Sequence, residues 1–424
     1  MLHLLQRTRR AVSSVVPRAP LQTARPRGVV RHGSSMAWYN QRMAAWDEEK
    51  MRQAKAGPSE NCDGVEISVR LDRGKKKQPK VIEAHGGITT PFDLNPGVAQ
   101  GAIGAILNFS TPWGLHDPLP MEDCSVKFLT TADADVDSAA EPEVREAAQD
   151  LLWHSAAHIL GQALERASFL SREDVEGVES SGVLLCDGPS LVDGSVEGGF
   201  FYEMALPQGI TVGNGDFPEL EELIQDIVEE KQTFEKMVVS REFARNMFAY
   251  NPFKLDMLGT IDPNEPVSLY RNGPFIDMCR GPHVTNTSVF KGIQLLKTSA
   301  SHWKSGDAAS NEDVAPLLQR IYGIAFGTNI GMKSWRKRVD EARARDHRKI
   351  GKRQELFMFH PTSPGSAFML PHGTRIYNRL LDMLRSEYKT RGFDEIMTPM
   401  LYKSVLWATS GHLENYKDDM YMVS

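Results

Sequence analysis

The sequence predicts a multidomain chain that mixes α/β and α+β folds, and three observations carry that prediction. Its 424 residues are more than one ordinary core organises. Short alternating segments such as EISVRLD (66–72) stand beside long helical ones, such as the run from Pro142 to about Phe169. Two polar stretches, KMRQAKAGPSE (50–60) and ADADVDSAAEPE (132–143), punctuate the chain as linkers do. No internal repeat is visible.

From Met1 to Trp46 there is no Asp or Glu, whereas Arg7, Arg9, Arg10, Arg18, Arg25, Arg27, Arg31 and Arg42 all fall there. An arginine-rich, serine-containing, acid-free start is the pattern of an organelle transit peptide. Residues 1–46 are therefore expected to be a disordered transit-like segment and residues 47–60 a linker. Met36 opens MAWYNQRMAAWDEEK, and initiation there would drop most of the arginines. The expected address is mitochondrial, cytoplasmic or both.

EISVRLD, VIEAH, AILNFS and CSVKFL read as short strands, with a Gly-interrupted segment (95–104) among them. They make a small mixed α/β module over 61–131, and residues 132–140 form a second linker. Pro142 suits the first turn of the long helix that follows. PELEELIQDIVEEKQTFEKM (218–237) reads as another helix, with Leu220, Leu223, Ile224, Ile227 and Val228 on one side. PVSLYRNGPFIDM (266–278) reads as strand, turn and strand.

Residues 332–355 read as one charged helix bearing Lys333, Arg336, Lys337, Arg338, Arg343, Arg345, Arg348, Lys349, Lys352 and Arg353. Only Asp340, Glu341, Asp346 and Glu355 oppose them. Either it is a solvated connecting helix with internal ion pairs, or it touches a nucleic-acid backbone. A new unit then begins. HGTRIYNRLLDMLRSEYKTRGF (372–393) puts Ile376, Leu380, Leu384 and Tyr388 on one stripe, and DEIMTPML (394–401) is expected as a strand.

Composition narrows the function. The net charge of −6 argues against a globally basic nucleic-acid binder, so any such contact must be local. No apolar run approaches the ~18 residues of a membrane-spanning helix. Cys62, Cys124, Cys186 and Cys279 are scattered, which suits reduced thiols rather than a disulfide framework.

Two short motifs carry chemistry. In HSAAH (154–158), His154 and His158 are four apart on a helix and share a face. The apolar stripe of that helix is Leu152, Ala156, Ile159, Leu160 and Ala163. The histidines lie elsewhere, near Ser155, Gln162 and Glu165, so they are expected to face water or a pocket. In CRGPH (279–283), Cys279 and His283 sit on a loop after a strand. The four could converge as a zinc site. Equally, they could line a metal-free polar pocket for a small amino compound. The plainer alternatives are a buried small Cys279 and a satisfied turn His283.

Taken in order, HSAAHILGQALER, GGFFYEM, IDMCRGPHV, LLKTSASHW, LQRIYGIAF, RDHRKIGKRQELF, PGSAFMLPHG, RGFDEIMTPMLYKSVLW and SGHLENYKDDMY resemble the threonyl-tRNA synthetases. The resemblance implies a β-grasp TGS-like domain at 61–131 and an α+β editing domain at 141–331. It also implies a linker helix at 332–355 and the start of a class II antiparallel-sheet catalytic domain at 356–424, incomplete after motif 1. The implied activity is ATP-dependent attachment of threonine to its tRNA, with hydrolytic clearance of seryl-tRNA. The partners would be that tRNA and a second copy in a homodimer, with no membrane. The family uses ATP, Mg and a catalytic-domain zinc, whose ligands are not among these residues. This chain is thus expected to keep editing and RNA contacts, with no cofactor for editing. The alternatives are a free-standing hydrolase of mischarged tRNA and a non-catalytic RNA-binding module. By resemblance, His154, His158, Cys279, His283, Lys254 and Asp277 form the editing site. Asp277 would take the substrate ammonium, Lys254 would steady the water or oxyanion, and Tyr202 would form a pocket wall. Arg345, Arg348, Lys349, Lys352 and Arg353 would contact RNA. The site is expected to work without metal, with zinc on His154, His158, Cys279 and His283 as the alternative.

Overall fold

The computed structural model describes residues 35–56, 64–72, 74, 78–167, 182–192, 198–207, 210–263, 265–303, 316–417 and 420–421. The transit-like expectation for residues 1–34 lies outside them, as does Cys62. The chain divides into two units, Met1–Arg336 and Lys337–Ser424.

The first described element corrects the sequence reading. Helix α1 (Ser35–Ala56) runs through what was expected to be a disordered tail and a linker. Its composition is polar, but Arg42, Trp46 and Glu49 recur at helical spacing and are 4%, 1% and 7% exposed. Trp46 enters a core with Met237, Leu269 and Ile276. Arg42 bonds the Glu165 carboxylate at 3.1 Å and the Ile276 carbonyl. Burying one large indole outweighs a hydrophilic sequence average.

The next module is a five-stranded sheet in the order β2-β1-β5-β3-β4, from β1 (Val65–Leu71), β2 (Lys80–Gly86), β3 (Gly104–Leu107), β4 (Thr111–Trp113) and β5 (Cys124–Leu129). Every pair is antiparallel except the central β1–β5. Alternation along β1 sends Ile67, Val69 and Leu71 into the core with Val126 and Phe128. A short helix α2 (Pro91–Leu94) precedes the Gly-interrupted stretch, which itself supplies a second, α3 (Pro96–Ala99).

Helix α4 (Pro142–Arg166) is the spine of the unit. Trp153 donates to the Ala325 carbonyl at 3.1 Å, and a side chain at Gly104 would strike Leu151. Leu151, Leu152, Ile159, Leu160 and Leu164 are at most 1% exposed, each contributing about 1.5–3 kcal/mol of burial. The expected apolar stripe is therefore not the only buried face; all but seven of its 25 residues are inside.

Two further sheets flank this helix. One comprises β6 (Leu184–Leu185), β7 (Ser190–Leu191), β8 (Gly199–Ala205), β12 (Gly292–His302) and β13 (Leu317–Phe326) in the order β12-β13-β8-β6, with β7 also on β8. The other orders β11-β10-β9, from β9 (Phe234–Val239), β10 (Val267–Asn272) and β11 (Phe275–Met278). Helix α5 (Phe217–Glu229) stops eight residues short of the sequence expectation. Lys231 adopts φ +52°, and Phe234–Val239 pairs with β10 instead. Pairing of a segment containing Phe, Met and two valines overrides the helical periodicity that preceded it. Helices α6 (Arg241–Met247) and α7 (Pro252–Thr260) and a 3-10 turn at Thr287–Val289 also belong to the unit.

The charged segment forms two helices rather than one: α8 (Asn329–Ala344) and α9 (His347–Arg353). Asp346 separates them because its carboxylate caps the Arg348 amide at 2.8 Å. In the second unit, α9 is followed by a hairpin of β14 (Phe357–His360) and β15 (Ser363–Met369), which the sequence reading had left unassigned. Helix α10 (Pro371–Thr390) ends before Gly392, at φ +79°. DEIMTPML forms no strand and pairs with none among the described residues. A strand needs a neighbour for its amides, and Ile396, Met397, Met400 and Leu401 are 79%, 99%, 92% and 74% exposed. Helices α11 (Ser404–Thr409) and α12 (His412–Asn415) follow.

Candidate active site

A helix, a hairpin and the turn that follows it converge on one cluster of the first unit. Helix α4 brings His154 and His158 on one face. The β10–β11 hairpin carries Asp277 one residue before its end at Met278, and the chain then turns through Cys279 to His283. That turn needs Gly281: its φ is +68°, and a Cβ there would overlap the Tyr270 hydroxyl. The potential ligand atoms of His154, His158, Cys279 and His283 lie within 4.8 Å of one another. The Cys279 sulfur is 3.1 Å from His154 Nε2 and 3.3 Å from His283 Nε2. His283 is packed against Phe234, with ring centres 5.1 Å apart and planes nearly parallel, and edge-on to Tyr270 at 4.5 Å.

Behind this cluster lies a buried ion pair. Lys254 Nζ is 2.6 Å from Asp277 Oδ1, with side chains 3% and 7% exposed. The Tyr202 hydroxyl donates to Asp277 Oδ2 at 2.5 Å, and the Met278 amide donates to Oδ1 at 2.8 Å. Asn251 places Lys254. Its side-chain oxygen accepts the Phe253 and Lys254 amides at the start of α7, and its amide donates to the Leu185 carbonyl at 2.7 Å. Gly161 leaves room for Tyr202; a Cβ there would come within 2.8 Å of that ring and of Phe275.

Burial dominates the electrostatics. It lowers the pKa of all three imidazoles: His154 below its ordinary value, His283 well below, and His158 to about 3. It pushes the Cys279 thiol far up, and with Asp277 nearby it raises the Tyr202 phenol well above its ordinary value. Burial opposes both charges of the Lys254–Asp277 pair, yet their mutual attraction wins. The lysine is raised and the aspartate lowered, so both stay charged.

The cluster opens on a cavity of about 690 Å³ lined by His154, His158, Asp277 and Cys279, together with Asp150 and Asp187. The sequence reading had placed the histidines towards water or a pocket. They do line a pocket, but His158 is only 2% exposed. Tyr202, expected as a pocket wall, is 0% exposed and lies outside that lining, holding Asp277 from behind. Lys254 and Asp277, expected to meet oxyanion and ammonium, are engaged with each other. Three carboxylates of the lining were missed: Asp150, Asp187 and Glu265, the last 3.6 Å from Arg280. Asp150 accepts the Ser190 hydroxyl and stands one turn before His154, a spacing that could have revealed it. Asp187 comes from the loop after β6, where no local pattern marks it. The basic residues belong to the second unit: Arg345, Arg348, Lys349, Lys352 and Arg353 are exposed there, with Arg345 3.6 Å from Glu341 and Arg348 2.9 Å from Asp346.

The His/Cys donor set also fits a zinc ion by chemistry, and the buried Nδ1 of His158 has no hydrogen-bond partner. Held by all four side chains, zinc would have its tetrahedral shell filled by protein and would tie helix and loop together as a structural ion does.

The domain described as the threonyl and alanyl tRNA synthetase second additional domain matches residues 267–322, which contain Asp277, Cys279 and His283. Over 363 residues the chain is 40% identical to threonine–tRNA ligase 1, cytoplasmic, of Bos taurus, covering 85% of this chain and 44% of that protein. The protein of the same name in Homo sapiens matches equally, at 40% over 363 residues and the same two shares. Over 400 residues it is 36% identical to the probable threonine–tRNA ligase 1, cytoplasmic, of Dictyostelium discoideum, covering 93% of this chain and 50% of that protein. The homologues of this chain are threonine–tRNA ligases. It spans about half the length of these curated relatives. Their similarity extends over His154, His158 and the hairpin alike, so the cluster belongs to a synthetase-related chain with an editing-type domain.

Proposed function

We propose that the first unit hydrolyses the ester of seryl-tRNA mischarged on the tRNA for threonine, within a protein whose synthetic activity is threonine–tRNA ligation. The observation that carries this reading is the cavity where neutral His154 and His158 meet Cys279 and His283, backed by the Lys254–Asp277–Tyr202 cluster. Serine is smaller than threonine by one methyl, which a synthetic pocket discriminates by only ~1–3 kcal/mol, so a second, hydrolytic site is the physical remedy. In it, a neutral imidazole accepts a proton from water, and polar hydrogens face the developing oxyanion. Asp187 and Asp150 offer carboxylates for the substrate ammonium, a role for which Asp277 is less suited because Lys254 and Tyr202 already hold it.

The reading is metal-free. A zinc bound by all four side chains would keep no position open for water. Residues 61–131 would serve as a TGS-type module; a β2-β1-β5-β3-β4 order with β1 and β5 parallel supports a β-grasp fold for it. The exposed arginines and lysines of α8 and α9 would meet the tRNA backbone. The ligase activity would use ATP and Mg, with a homodimer as the working form, in the cytoplasm, the mitochondrion or both. No helix among the described residues is long and apolar enough to cross a membrane.

The test is deacylation of seryl-tRNA and threonyl-tRNA for threonine. Seryl-tRNA should be cleaved faster. His154→Ala or His158→Ala should each lower that rate by at least ~10²-fold. EDTA should leave it unchanged, and a chelator-sensitive rate restored by zinc would reject the metal-free site. Full activity in both histidine variants would remove the hydrolytic assignment.

A further inference from the structure

Ser155 lies between the two histidines in sequence and is 0% exposed. Its oxygen makes three contacts: the Leu151 carbonyl at 2.8 Å, the Val284 amide at 3.0 Å and His283 Nδ1 at 3.1 Å. A carbonyl has no hydrogen to give, so Ser155 must donate to Leu151. An amide can only donate, so Val284 donates to Ser155. The hydroxyl has one hydrogen, and Leu151 has taken it. The contact with His283 is then a hydrogen bond only if Nδ1 of that ring carries the proton.

The consequence runs onward. His283 is neutral, because burial lowers its pKa well below the ordinary value. With its proton on Nδ1, its Nε2 presents a lone pair to the Cys279 sulfur at 3.3 Å. Burial keeps that thiol protonated, so its single hydrogen goes to His283. The sulfur receives the Gly281 amide at 3.1 Å. Its remaining contact, 3.1 Å to His154 Nε2, needs a hydrogen that only His154 can supply. A neutral His154 with its proton on Nε2 keeps its lone pair on Nδ1. With all three groups neutral, each contact has one donor, and no other distribution of the hydrogens satisfies all of them.

We propose that Ser155 is a positioning residue whose hydroxyl, anchored on the Leu151 carbonyl, sets the tautomer of His283 and, through Cys279, that of His154, making Nδ1 of His154 the base for the attacking water. This rests on the hydrolytic reading above. In the step, the water oxygen bonds to the ester carbonyl carbon while its proton passes to His154 Nδ1. The bond from that carbon to the ribose oxygen then breaks, and the ribose oxygen takes the proton from Nδ1. Water and ester become amino acid and free tRNA hydroxyl, with His154 returned to its starting form.

The tautomers can be read without any substrate. The full chain, labelled with ¹⁵N-histidine and treated with EDTA, is examined by two-bond ¹H–¹⁵N correlation at pH 7.5, with His154→Gln and His283→Gln assigning the two rings among the 12 histidines. The expected result is a proton on Nδ1 of His283 and on Nε2 of His154. A His283 protonated on Nε2, or a His154 protonated on Nδ1, overturns the proposal whatever the activity. In Ser155→Ala both rings should average between tautomers, and turnover of seryl-tRNA should fall at least ~10-fold with KM within about twofold. Unchanged tautomers in that variant overturn the role of Ser155 as well. If the rings are protonated as expected but no seryl-tRNA is cleaved, the wiring stands and the hydrolytic reading fails; cleavage with reversed tautomers does the opposite.

Discussion

Helices α4 and α10 are of similar length and opposite fate. In α4, polar and apolar residues are spread around the axis, yet 18 of 25 residues are buried. In α10 a well-ordered apolar stripe separates from a charged face, yet Gly373 is its only buried residue. Ile376, Leu380, Leu384 and Tyr388 are 50%, 52%, 42% and 52% exposed. The difference teaches that a clean amphipathic pattern reports a need for a partner surface, not that the surface is at hand. A helix enclosed on all sides needs no such pattern. It can carry His158, Gln162 and Glu165 inside because each meets a shaped environment: a ring cluster, Asn272 at 2.9 Å, Arg42 at 3.1 Å.

The comparison can be broken most severely through charge. Lys254→Met leaves Asp277 buried without its cation and should cost about 3–5 kcal/mol. The exposed Arg385–Glu395 pair of the second unit, at 3.1 Å, should lose at most ~1 kcal/mol on Arg385→Met. Urea unfolding of both variants decides it, and similar losses would mean that burial does not separate the two regions. Packing gives the next effect. Leu160→Ala should cost ~2–5 kcal/mol, whereas Leu380→Ala should stay within about 0.5 kcal/mol. A large loss at Leu380 would show that the α10 stripe is covered in solution.

Acid sharpens the contrast more gently. His154, His158 and His283 have pKa values below the ordinary 6.5 in the folded chain, with His158 at about 3. Below pH 6.5 the unfolded chain therefore binds more protons, and stability is lost as the pH falls. Each ring contributes up to about 1.4 kcal/mol per pH unit until its folded pKa is reached. Urea midpoints for the first unit should drop between pH 7.5 and 5.5 and drop less in His158→Gln. An unmoved midpoint would show that the imidazoles are not held neutral.

Much of this was legible in the sequence. Periodicity located α4 and the four strands read in the first module, and the Cys-x3-His and His-x3-His spacings named the cluster before any geometry. What the sequence concealed followed one cause. Arg42 and Trp46 looked like part of a basic tail because their partners, Glu165, Ile276 and Met237, are more than a hundred residues away. QTFEKM read on as helix because nothing local announces its pairing to β10. Asp187 carried no signal at all.

The sequence by itself determined which side chains carry chemistry and which segments alternate, because those follow from residue type and from periods of two and 3.6. Only the tertiary structure decided how those groups are used. It turned Lys254 and Asp277 on each other instead of on a substrate, set Tyr202 behind the pocket, and gave Ser155 three contacts that leave one choice for each proton. Protonation and burial depend on every neighbour in space, and a linear pattern records only the neighbours along the chain.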